Sequence, residues 1–195
     1  KALTEISIGN YEQGWKLYEW GWAAGERGAP RRFNQPTWLG EENIAGKTLF
    51  IYAEQGLGDF IQFCRYIPMV EALGAKVILE VPKPLVSLVK TLKGNFTMVE
   101  EGQALPSFDM VCPVMSLPLA FRTTLQTVPA NVPYLFADTA KQAEWHKKLG
   151  AKTKPLIGIV WSGSLTNKID LNSASRRYIP LSELAPLFDL PVEFH

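Results

Sequence analysis

Cysteine and histidine are scarce: the 195 residues hold two of each, which leaves little to build a disulfide framework or a histidine-rich zinc site. Cys64 falls on the apolar side of a helical stretch and Cys112 ends a strand-like one, so both read as buried thiols. Long apolar runs are missing as well. None approaches the roughly 20 residues that cross a bilayer, and Lys1 to Asn10 carry no signal-peptide pattern. Charge is nearly balanced, at a formal +1, which gives no global pull toward nucleic acid or a membrane surface. These absences predict a soluble, cytoplasmic protein without a transmembrane segment. Hydrophobic residues make up 47% of the chain and charged ones 20%, enough of the former to bury a core.

Residues 1–25 read as two short helices around Gly9-Asn10, with Tyr11, Trp15, Tyr18 and Trp22 recurring every three or four positions. The Gly-x-Tyr-x-x-small spacing ending at Gly14 resembles the second helix of a tetratricopeptide repeat, and an ordinary amphipathic hairpin fits it as well. Residues 26–46, rich in Gly, Pro and Arg, form a connector in which Trp38 reads as a packing plug between the helical unit and the next domain. From Lys47 the pattern alternates. Strands are expected at 47–53, 76–81, 96–100 and 108–112, with helices at 59–73, 84–92 and 115–121. After a proline-bearing crossing loop at 128–134, a helix at 139–149 places Trp145 on its apolar side. Residues 155–161 repeat the first strand's character, Ser162-Gly163-Ser164 repeat its small-residue turn, and 181–188 read as a helix. The fold class is α/β with a Rossmann-like parallel sheet: one domain over 47–153 and the start of a second over 154–195. The chain has no initiator Met and closes on the strand-like Val192 to His195, so a piece of a longer protein is expected.

The most informative stretch is Tyr52-Ala-Glu54-Gln55-Gly56-Leu-Gly58-Asp59-Phe-Ile-Gln62. A buried strand, a glycine turn and a helix together deliver the Asp59 carboxylate to a cleft. Asp59 has two readings that coexist, a cap for the helix start and a general base. Glu54 and Gln62 either contact an acceptor or brace the turn. Gly56 and Gly58 also suggest a dinucleotide fingerprint, with Glu80 placed for a ribose, but the third glycine is missing. Arg176-Arg177 reads either as a solvated basic pair or as a guanidinium fork for a diphosphate.

Four blocks then carry a resemblance: Glu54 to Tyr66, Phe108 to Pro118, Val132 to Leu135, and Ile159-Val-Trp161-Ser-Gly163. Together they resemble bacterial tetratricopeptide-repeat proteins that carry a glycosyltransferase domain of the heptosyltransferase type, and the likeness runs from Tyr11 to Leu187. It implies two Rossmann-like domains facing a cleft, the GT-B arrangement, with this chain holding the first and the opening of the second. It implies an inverting transfer from a nucleotide sugar to a glycan, lipid or protein acceptor, without a metal or a further cofactor. Asp59 would be the base, Gln55, Gly56, Gly58 and Gln62 would lie along the acceptor, and Ser162, Ser164 and Arg177 near the donor phosphates. Tyr178 departs from the pattern, standing where the family has serine. Catalysis is expected of the longer parent, since the nucleotide pocket needs residues past His195. Two other classes fit the same residues: a non-catalytic module that recruits a protein through the helical repeat, and a dinucleotide-dependent oxidoreductase.

Overall fold

A computed structural model describes residues 1–151, 153–161 and 179–195. They form two compact units, Lys1–Asp138 and Thr139–His195. The first is built on four parallel strands, β1 (Thr48–Tyr52), β2 (Lys76–Val81), β3 (Thr97–Glu100) and β4 (Met110–Pro113), in the order β3-β2-β1-β4. Phe50 lies between Ile78 on one neighbour and Val111 on the other. Strand β1 is central and apolar on both faces, as a parallel strand covered on both sides must be. The connections leave β1 first toward β2 and later toward β4, so the strand order reverses at β1. In open parallel sheets the crevice at the carboxyl ends of the strands flanking such a reversal is where ligands bind.

Leu49, Ile51, Val77, Leu79, Met110 and Cys112 line one face of the sheet and join the main core. Helices α1 (Ala2–Ser7) and α2 (Tyr11–Glu19) form the expected hairpin around Gly9, whose φ is +85°. Trp15 and Tyr18 of α2 belong to that same core. The predicted helix 59–73 is instead α3 (Leu57–Phe63), a tight 3-10 turn at Cys64–Tyr66, and α4 (Ile67–Ala72). Pro68 explains the break: it offers no N–H to the carbonyl four residues earlier, so the chain tightens locally before resuming. Short helices α5 (Val86–Val89) and α6 (Leu117–Ala120) follow β2 and β4.

The other face carries Phe50, Tyr52, Ile78, Val99 and Val111, covered by Phe33 from the connector and by Leu105 and Phe108 from the β3–β4 link. The Phe33 ring meets Phe50 and Phe108 edge-on at 5.7 and 5.8 Å. The connector is therefore pinned to the sheet. Trp38 donates its backbone N–H to Val111 at 2.8 Å, and Val111 donates to Pro36 at 3.0 Å. Trp38 is 2% exposed, and its ring packs edge-on against Phe121, just past α6. Trp38 is thus a packing plug, and the contacts that hold it are to β4 and to Phe121.

Both cysteines are unpaired and buried. Burial pushes the Cys64 thiol up to about 12, and burial also raises Cys112. Because the thiolate is the reactive form, a raised pKa removes reactivity at any lower pH. Iodoacetamide at pH 8.5 is expected to leave both thiols unmodified in the folded protein and to alkylate both in denaturant. Modification of Cys64 in the native state, read by peptide mass, would contradict its burial.

The second unit departs further from expectation. Helix α7 (Thr139–Leu149) has the predicted span but buries none of its residues, and Trp145 is 56% exposed with the Lys148 ammonium 4.9 Å from its ring. Its sequence has no apolar stripe for Trp145 to extend. The strand expected over 155–161 is only Leu156–Ile157 (β5), paired in parallel with Glu193–Phe194 (β6). Leu181–Asp189 is helical over the expected span but winds as a 3-10 helix, with Pro186 inside it disfavouring a regular α-helix.

Candidate functional site

At the carboxyl end of β1 the chain leaves Tyr52, passes Glu54 and Gln55, and enters α3 through Gly56. Asp59 is the third residue of α3. Its Oδ2 accepts the Gly56 N–H at 2.9 Å, half of a capping box. Oδ1 takes no hydrogen bond among the described residues. The left-handed residue of the turn is Gln55, with φ of +61°, and neither Gly56 nor Gly58 shares that conformation. The sequence assigned the sharp turn to the glycines, and the two serve differently. A Cβ on Gly56 would sit 3.0 Å from Asp59 Oδ2, so the missing side chain leaves room for the carboxylate. A Cβ on Gly58 would meet nothing within 4 Å, so no internal contact requires glycine there.

Asp59, half-buried, lines a cavity of about 300 Å³ with Gln55 and Gln62, walled by Tyr11, Trp15 and Tyr18 of the hairpin. Gln62 is exposed, and its carbonyl accepts from Arg65 Nε at 2.8 Å. Arg65 lines the cavity too. It donates to the Pro129 carbonyl at 3.0 Å and to the Tyr134 hydroxyl at 2.9 Å, and so ties down the crossing loop. A second cavity of about 590 Å³ shares Tyr11, Trp15 and Thr123 with the first, so the two flank one partition.

Behind the turn lies a network that the sequence did not signal. Arg27, in the stretch read as connector, has a side chain 1% exposed. Its Nη1 donates to Glu19 at 2.8 Å, its Nε to Glu54 at 3.1 Å, and its Nη2 to Ser116 at 3.1 Å and also to Glu54. Its guanidinium lies 4.5 Å from the Tyr18 ring and 4.2 Å from the Trp22 ring. Gln55 Nε2 donates to the Tyr18 hydroxyl at 2.6 Å. Burial opposes the Arg27 charge, but the Glu54 and Glu19 carboxylates outweigh it and hold the guanidinium above its usual value. Burial pushes the Glu54 carboxyl up against the pull of Arg27 and of the Met115 N–H. A single residue of the connector thus joins the end of α2, the exit of β1 and the exit of β4.

The other predicted residues divide. Ser162, Ser164 and Arg177 lie outside the described residues. Glu80, placed by its sequence position as a ribose ligand, is instead 2% exposed and ion-paired with Arg31, whose guanidinium lies over the Phe33 and Tyr52 rings. Among the described residues no group of three or more His, Cys, Asp or Glu could hold a metal ion. No helix among them is long and apolar enough to cross a membrane.

No protein-family model matches the chain, and no solved structure matches it. Among curated proteins it is similar to Protein FlbA of Caulobacter vibrioides, at 27% identity over 214 aligned positions that cover 98% of this chain and 35% of FlbA. The chain therefore spans about a third of the length of that relative.

Proposed function

We propose that this chain is the acceptor-side part of a glycosyltransferase of the heptosyltransferase-like GT-B type, with Asp59 as its general base. The observation that carries the reading is the placement of Asp59. One carboxylate oxygen is fixed by the Gly56 N–H, and the side chain lines a cavity at the sheet's strand-order reversal. An acceptor hydroxyl in that cavity attacks the anomeric carbon of a nucleotide sugar from the face opposite the phosphate. The new bond joins acceptor oxygen to anomeric carbon, the bond from that carbon to the phosphate oxygen breaks, and the nucleotide leaves with the electron pair. The hydroxyl proton passes to Asp59. A hydroxyl becomes acidic only as it attacks, so a weak base within hydrogen-bond reach suffices. The cavity supplies amide groups from Gln55 and Gln62 to orient a hydroxylated acceptor, beside aromatic walls that exclude water. Ser162, Ser164 and Arg177 belong to the donor side of this scheme.

The test uses the full-length protein and a panel of uridine-, guanosine-, adenosine- and cytidine-activated sugars, reading nucleotide release with and without a mixed glycan and peptide acceptor pool. Asp59→Asn keeps the shape and removes the base, and is expected to lower the turnover number by roughly 10²–10⁴-fold. A folded Asp59→Asn protein turning over at the wild-type rate would refute the assignment.

A further inference from the structure

We infer that Arg27 and Tyr18 are positioning residues for Asp59, which makes the helical hairpin and the loop behind it part of the site. The inference rests on the proposed role of Asp59 as base. Three consecutive residues lead into α3, and each is gripped. Glu54 is held by Arg27, Gln55 by the Tyr18 hydroxyl, and Gly56 by Asp59 itself. Arg27 also stacks on the Tyr18 ring, so the first two grips brace each other. Gln55 adopts a left-handed conformation that a side chain bearing a Cβ occupies at a cost, and such a residue persists only where its surroundings hold it.

The geometry fits positioning better than simple bracing of the fold. Arg27 reaches the exits of both β1 and β4, the two strands that bound the crevice, through Glu54 and Ser116. Its remaining carboxylate partner, Glu19, closes α2 and also accepts the Ser116 hydroxyl at 2.8 Å. Arg27, Glu54, Ser116 and Glu19 do not line the Asp59 cavity, whereas Tyr18 and Gln55 do. Arg27 therefore acts on the site through the backbone it fixes. Loss of that hold lets residues 54–56 leave the conformation that presents the Gly56 N–H, and Asp59 then loses its orientation toward the cavity.

Arg27→Met retains the side chain's length and apolar stem, and is compared with wild type in the full-length protein. Hydrogen exchange by NMR is expected to show the Gly56 amide accelerated on the order of tenfold beyond the change in global stability measured by urea unfolding of the same variant, while the β1 amides of Phe50 and Ile51 change only by that global amount. A role confined to fold stability would accelerate all of them together. In turnover, Arg27→Met is expected to cost on the order of tenfold, and to cost nothing further in an Asp59→Asn background, since both changes remove the same function. If Arg27→Met fails to fold, Tyr18→Phe removes the hydroxyl that accepts from Gln55 and donates to Met115 Sδ, and is held to the same two readouts. Unchanged Gly56 exchange in a folded variant, or equal losses with and without the Asp59 carboxylate, would overturn the inference. If the wild-type protein releases nucleotide from no sugar, the glycosyltransferase reading fails by itself, and Gly56 exchange still decides whether Arg27 holds the turn.

Discussion

Glu54→Ala is expected to destabilise the Lys1–Asp138 unit by about 3–5 kcal/mol, because it strands the Arg27 charge in a place water does not reach. The Arg27 side chain is 1% exposed and that of Glu54 5%. Glu19 remains as a partner, yet at 20% it is more exposed than either Arg27 or Glu54, and it meets only Nη1. The Nε donor and one Nη2 donor lose their acceptor, and so does the Met115 N–H. Such a loss is a large share of the roughly 5–15 kcal/mol that holds a domain of this size together. The measurement is urea unfolding, followed in parallel for Glu54→Ala and for the double variant Arg27→Met, Glu54→Met. The double variant is expected to be more stable than Glu54→Ala, since it removes the buried charge with its partner. A change below about 1 kcal/mol in Glu54→Ala would mean that the pair behaves as a solvated surface pair.

That network shows where reading from sequence stops. The strands were legible because a parallel sheet buried on both faces needs apolar runs, and Leu49 to Tyr52 and Val77 to Leu79 supply them. The hairpin was legible because Tyr11, Trp15 and Tyr18 recur at helical spacing and pack into one core. The position of Asp59 in the first turn of α3 was legible because a strand, a turn and a helix follow in immediate succession. Arg27 was not. Its partners Glu19, Glu54 and Ser116 lie 8, 27 and 89 positions away, and only the folded chain brings them together. An arginine in a stretch rich in Gly, Pro and Arg looks solvated until the strand exits converge on it. Gln55 was hidden for a different reason: glycine is the usual left-handed residue, so two nearby glycines drew the assignment. The conformation went instead to a residue whose side chain reaches the Tyr18 hydroxyl. In the second unit both helices fall where expected, whereas the strand over 155–161 was overread from its β-branched composition, and Trp145 was assigned an apolar side that the polar run around it does not provide.

Gly40→Ala is the other substitution expected to have a large effect, and it tests how the connector is fastened. Gly40 has φ of +95°, and a Cβ there would overlap the backbone of Ala120, the last residue of α6. Two costs add. The conformation itself is unfavourable for alanine by roughly 1–2 kcal/mol, and forcing the backbones apart costs about 1–3 kcal/mol more. Relief by moving the connector is blocked two residues earlier. The Trp38 N–H is bonded to Val111 in β4, its Nε1 donates to the Glu42 carbonyl at 3.1 Å, and its ring packs against Phe121, next to Ala120. Gly46→Ala is the control. Gly46 has φ of +77° with nothing within 4 Å of the added Cβ, so it carries only the conformational cost. The difference in unfolding free energy between the two variants therefore isolates the close approach of connector to α6, expected at about 1–3 kcal/mol. Equal destabilisation would mean that the connector can lift from Ala120 freely, and Trp38 could not then be the fixed point on which this side of the sheet is sealed.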